Sequence, residues 1–319
     1  MLHRTKTVYE RGIVIVGEYT GEFAGLATSF FWSFTSIFFT LSGRQVGSQV
    51  VNRTRLLLAL GMVSLLHLVL QGKLLPVDAE LSRWGWMGLS GLIGFVIGDA
   101  FLFQAFVMIG PRLAMLLMAL NPVMGAIMAW ALLNETLEGL EMLGIALAVS
   151  GVAWVVSERQ KGESGSLPDV SPRYYLIGVL FGLGGALGQA SGLIASKQGL
   201  VDNFPALSGN LMRLSVSTVT IWLIALATRQ VRANFQALGE HPQAVRFILG
   251  GAIAGPFIGV WFSLIAVQNA KVGVASTLMS LTPVILLPLS RIIFKEHITS
   301  RAIMGTIVAV TGTTILFLA

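Results

Sequence analysis

Asp99 is the residue in this sequence with the clearest chemical potential. No other charged side chain lies between Arg83 and Arg112, so the acid sits inside an apolar run. A carboxylate at the middle of a bilayer costs roughly 2.5–3.5 kcal/mol on insertion scales, and such groups face a cavity, a partner or a proton path. Asp99 is therefore a candidate for carrying a coupling proton or binding a substrate amine; the bland alternative is a protonated acid bonded to a neighbouring helix. A second pattern occurs twice: Asn52, Arg55, Leu56 and Asn210, Arg213, Leu214 both read Asn-x-x-Arg-Leu. These arginines suit headgroup anchoring at helix ends, where long cationic side chains snorkel; the alternative is a vestibule wall for anions. Pro122 and Pro283 interrupt apolar runs, each removing a helical N–H and freeing the carbonyl four residues earlier. Such breaks at matching points of two halves point to a binding site, with Asn121 and Thr282 beside them to orient polar groups. Trp32, Gln189 and Ser191 are further substrate-cavity candidates. Glu135 and Glu296 are expected to be solvated or to cap the next helix. Gly182-Leu-Gly184 resembles the start of a dinucleotide fingerprint, but no strand precedes it.

The setting of these residues is a membrane. Hydrophobic residues make up 55% of the chain, charged residues 11%, and mean hydropathy is +0.79. A helical crossing takes about 20 mostly apolar residues. Runs near that length are Phe23–Gly43, Leu56–Gly72, Trp84–Gly98 continuing past Asp99, Leu113–Asn134 and Met142–Ser157. Five more follow: Tyr174–Ser196, Leu214–Thr228, Phe247–Ala270, Val272–Ser290 and Ala302–Ala319. None alternates with the period of a β-barrel strand. The expected fold class is an all-α integral membrane protein with ten transmembrane helices. With no cysteine, disulfides and thiolate metal sites are excluded, and the four histidines lack the spacing of a helical metal pair. No cofactor or metal is expected. The net charge of +6 is read as loops facing anionic lipid, not as a nucleic-acid surface.

The chain also repeats itself. Asn121-Pro122-Val123 falls on Thr282-Pro283-Val284 at an offset of 161, and the same offset pairs Gly94 with Gly255, Gly98 with Gly259, and Glu135 with Glu296. Residues 1–20 read as a polar leader, 21–157 as the first repeat, 158–172 as a Gly/Ser/Pro-rich linker and 173–319 as the second repeat. Five spans per repeat is an odd number, so the second copy enters the bilayer from the opposite face. Inverted repeats of this kind build secondary transporters, with the site at the repeat interface. Ser90, Gly94 and Gly98, and likewise Gly251, Gly255 and Gly259, form small-residue faces for close helix packing. Asp99 falls opposite Val260, so the acid belongs to one repeat alone. Lys and Arg are more numerous on the face away from the termini, which taken alone puts the termini outside.

These features together resemble the EamA-type transporters of the drug/metabolite transporter superfamily. The resemblance covers residues 21–319 and rests on the five-span unit, on Asn134-Glu135-Thr136 and Lys295-Glu296-His297 at the fourth-span ends, and on Gly144, Gly151, Gly305 and Gly312 in the fifth spans. It implies ten helices in two inverted five-helix repeats, with the fifth and tenth at the periphery. The central cavity would be faced by Trp32, Asp99, Gln104, Asn121, Gln189 and Thr282, with both termini in the cytoplasm. Together with the residues it points to a secondary transporter, exporter or exchanger, of small polar metabolites such as amino acids or nucleosides, working by alternating access in a cell inner membrane, with Asp99 the candidate for coupling protons. Its partners are a small-molecule substrate, the lipid bilayer and protons; no nucleic acid is expected, and a homodimer is compatible without being required. The alternatives are a passive facilitator, a lipid flippase or, more remotely, a membrane-embedded enzyme.

Overall fold

The structure is a computed structural model that describes residues 19–133, 137–158, 171–202, 204–270 and 272–318. The leader up to residue 18, most of the linker, and Glu135 lie outside the described residues. Every regular element among the described residues is helical. In the first repeat these are α1 (Thr20–Val46), α2 (Ser48–Gln71), α3 (Leu81–Gly91), a π-helical segment (Leu92–Gly98), α4 (Asp99–Met118), α5 (Asn121–Leu133) and α6 (Gly139–Ser157). The second repeat supplies α7 (Pro172–Gly199), α8 (Ala206–Ala227), α9 (Val231–Glu240), α10 (Pro242–Ala252) and a second π segment (Ile253–Gly259). It closes with α11 (Val260–Asn269), α12 (Val272–Met279), α13 (Thr282–Ile293) and α14 (Ser300–Leu318).

Among the described residues, eight helices are long and apolar enough to cross a membrane. The expected fourth and ninth crossings are each two shorter pieces. Helix α4 stops at Met118 and α5 begins at Asn121; α12 stops at Met279 and α13 begins at Thr282. The physical cause is Pro122 and Pro283, which stand in the first turn of the following helix, where a missing N–H costs nothing. A further break at Gly110, with φ 79°, precedes Pro111 and turns the chain between the third and fourth spans. Large apolar side chains such as Val69 and Leu223 point outwards, as a lipid-facing surface requires. The chain is a multi-pass membrane protein.

The repeat extends to backbone irregularities. Both π segments begin 161 residues apart, at Leu92 and Ile253, as do α3 and α10, α5 and α13, and α6 and α14. A π turn leaves carbonyls without their usual helical donors, and side chains from packed helices reach several of the carbonyls in and beside these segments. Asn52 Nδ2 donates to the Phe95 carbonyl at 3.1 Å and Gln189 Nε2 to that of Gly94 at 3.3 Å. In the second copy Thr28 Oγ1 approaches the Gly259 carbonyl at 3.5 Å and Thr35 Oγ1 that of Gly251 at 3.4 Å.

Each repeat packs its third span against the first span of the other repeat. A Cβ on Gly188 of α7 would stand 2.6 Å from Gly98 Cα, and one on Gly192 would stand 3.1 Å from Gly94 Cα. In the other copy, a Cβ on Gly255 would meet Thr35, and one on Gly259 would meet Trp32, both on α1. Helices α6 and α14 face each other through Gly144, Gly151, Gly305 and Gly312, where each glycine approaches the partner helix's backbone.

Candidate functional site

The polar centre forms where α2, α4, α7 and α8 meet at the first π segment. Asp99, 5% exposed, caps the end of that segment, and its carboxylate is ion-paired with Arg55 of α2, itself 6% exposed. Its other oxygen accepts from Gln189 Nε2 of α7 at 2.6 Å. Arg55 is positioned in turn by its Nε, which donates to Asn52 Oδ1 at 3.1 Å, and by the Phe103 ring, 4.8 Å beneath the guanidinium. Buried ions persist only when paired and hydrogen-bonded, and this acid meets both conditions. Of the settings that the sequence left open for this acid, a cavity, a partner or a proton path, the structure shows partners.

Arg213 enters the same centre from α8. Its guanidinium lies over the Phe95 ring at 4.4 Å, and a Cβ on Gly94 would be 3.3 Å from one terminal nitrogen. It feels the charge of Asp99 but lies within ion-pair distance of no acid among the described residues. Its Nε is enclosed without a hydrogen-bond partner, whereas the side chain as a whole keeps some accessible surface. The two arginines of the doubled motif are therefore not headgroup anchors. They converge on one carboxylate because an inverted repeat carries equivalent positions to opposite sides of the same interface.

The other sequence candidates separate. Gln104 lies five residues beyond Asp99 on α4, more than a full turn away and on another face. Its Oε1 accepts from Ser48 Oγ at 2.7 Å, and it lines a cavity of about 520 Å³ with Arg53, Gln230 and Asn234, apart from Asp99. Thr282 is buried at the break between α12 and α13, its hydroxyl donating to the Met279 carbonyl at 3.1 Å, with Ser29 and Ser33 of α1 alongside. Proline frees that Met279 carbonyl and the adjacent threonine takes it up. Trp32 packs on Gly259 beside the second π segment. Ser191 bonds back to the Leu187 carbonyl at 2.8 Å and touches Met128 of α5. Asn121 stands half-buried at the start of α5.

Glu296 also differs from expectation. Instead of being solvated or capping a helix, it is 8% exposed and its Oε2 accepts from Arg112 Nε at 2.8 Å. The reason is Gly110, which has no side chain to obstruct it; a Cβ there would lie 3.3 Å from Glu296 Oε1. This pair ties the α4 turn of the first repeat to the end of the ninth span in the second. At the opposite face Arg83 bonds Asp202 and the carbonyls of Gly199 and Val201, again across repeats.

A family model described as the EamA-like transporter family matches residues 19–157 and again 176–318. The chain belongs to the EamA-like transporter family. A Synechocystis sp. protein named as an uncharacterized transporter is 27% identical over 255 residues, covering 73% of this chain and 71% of that protein. A solved crystal structure superposes with a TM-score of 0.58 at 17% identity, covering 94% of this chain and 97% of that one. That likeness concerns the fold. Family and relative both identify a transporter, within the drug/metabolite transporter superfamily.

The sequence did not reveal the pairing of Asp99 with Arg55, nor that of Arg112 with Glu296. The first had a signal: a motif doubled across an inverted repeat puts its two arginines near one axis. The second had none, because the approach depends on the Gly110 turn.

Proposed function

We propose that this EamA-like protein is a secondary transporter of a small polar metabolite that works by alternating access in an inner membrane. Ten crossings are counted in this reading, the fourth and ninth interrupted before Pro122 and Pro283. One observation carries it: the Asp99 carboxylate is held from both repeats at once, by Arg55 of the first and Gln189 of the second. If one repeat rocks on the other, these contacts are exchanged.

Charged groups at the two faces support the reading. Arg112–Glu296 on one side and Arg83–Asp202 on the other each link opposite repeats, so opening either face requires breaking one of them. Protonation of Asp99 would release Arg55, which gives a proton gradient a point of entry. The groups facing Asp99 are Arg55 from α2, Gln189 from α7 and Arg213 from α8.

The test is counterflow and solid-supported-membrane electrophysiology on proteoliposomes, with pooled amino acids, nucleosides, sugars and phosphorylated metabolites. Wild type gives a substrate-dependent signal that responds to a pH gradient, and Asp99→Asn abolishes it. Transport indifferent both to pH gradient and to Asp99→Asn would identify a passive facilitator.

A further inference from the structure

Within the transport reading, on which this inference rests, we infer that the transported solute is a small organic anion whose carboxylate or phosphate docks edge-on to Arg213. The argument begins with charge. The centre holds two guanidinium groups, Arg55 and Arg213, and one carboxylate, Asp99. Both oxygens of Asp99 are already in use, one with Arg55 and the other with Gln189, so an amine reaching it would compete with a buried ion pair. The positive charge left over is Arg213.

The geometry selects the kind of contact. One face of the Arg213 guanidinium is covered by Phe95, and its Nε is enclosed. The two terminal nitrogens make no hydrogen bond among the described residues and, unlike Nε, are not fully enclosed; one of them lies against Gly94, where a Cβ would be 3.3 Å away. A guanidinium stacked on its face and open along its edge matches the planar fork of a carboxylate or phosphate. An uncompensated cation in a low-dielectric interior is costly unless an anion arrives, and Arg213 sits about two turns into α8 with no ion-pair partner among the described residues. A neutral sugar or nucleoside leaves that charge unmatched, and a primary amine adds to it.

Purified full-length protein in proteoliposomes tests this with four solute arms: monocarboxylates, phosphate monoesters, neutral nucleosides and sugars, and primary amines. Thermal stability in detergent with each solute gives a second readout that does not depend on turnover. Uptake and thermal stabilisation are expected for one or both anion arms and for neither of the others. Arg213→Gln should lower anion affinity at least about tenfold, the scale of a lost charge-assisted contact. Arg213→Lys keeps the charge but loses the fork, and should retain transport with a raised KM; it serves as the folded comparator if Arg213→Gln is unstable. Gly94→Ala should weaken anion binding severalfold by crowding the terminal nitrogen. Transport of neutral or cationic solutes, unchanged in Arg213→Gln, overturns the inference and leaves the transport reading standing. Folded wild type that carries no solute in any arm overturns both.

Discussion

The two π segments share a backbone and differ in chemistry. Around Leu92–Gly98 stand Asp99, Arg55, Gln189 and Arg213; around Ile253–Gly259 stand Val260, Thr35 and Trp32. Phe95 in the first copy, with its carbonyl held by Asn52, corresponds to Pro256 in the second, which has no N–H to give. Duplication preserved the bend and the small-residue faces, whereas charge accumulated at only one of them. The scaffold is therefore symmetric and the chemistry is not. In a transporter with one central site, a single charged cluster can be read from either face as the repeats rock.

The largest expected effect breaks this asymmetry directly. Asp99→Asn leaves Arg55 buried without its counter-ion and should destabilise the fold by about 3–5 kcal/mol. The matching change Val260→Ala should cost about 1 kcal/mol and leave transport intact. Thermal unfolding in detergent measures both, and equal losses would show that the two segments are energetically alike.

A smaller effect separates the two packing faces. A Cβ on Gly188 meets the Gly98 backbone at 2.6 Å, so α7 and the third span must part; Gly188→Ala should cost about 1–3 kcal/mol. A Cβ on Gly255 stands 2.7 Å from Thr35 Cγ2 and 2.9 Å from its Oγ1, so its nearest contacts are side-chain atoms. Because a side chain can shift where backbone cannot, Gly255→Ala should cost less than Gly188→Ala in the same assay. The smallest effect belongs to the exposed face. Asp202→Asn, which removes the largely exposed acid paired with Arg83 and leaves the other Arg83 contacts in place, should change stability by about 1 kcal/mol or less.

Much of the scaffold was legible in the sequence because an inverted repeat leaves a constant offset. The offset of 161 that pairs Gly94 with Gly255 also pairs the π segments, and Pro122 and Pro283 mark the helix breaks. The centre was only half legible. Asp99 was conspicuous because burial of an acid is costly, yet its partners lie on α2, α7 and α8, and only tertiary packing brings these to one depth. Arg55 and Arg213 read as anchors because each lies near a helix start, where snorkelling would be available. Gln104 read as a cavity neighbour of Asp99, but helical rotation turns it to Ser48 instead.

The central claim is that the cluster around Asp99 is where transport happens, beyond its role in stability. The most direct measurement is substrate-dependent current from proteoliposomes carrying the double variant Arg55→Gln/Asp99→Asn. Removing both charges together leaves neither half of the ion pair behind and the net charge of the centre unchanged, with Arg213 still in place, so the loss of thermal stability should be smaller than for Asp99→Asn alone. The account expects a folded, inserted protein with no substrate-dependent current and no counterflow. Wild-type rate and KM from that double variant would contradict it and reduce the buried pair to a structural staple.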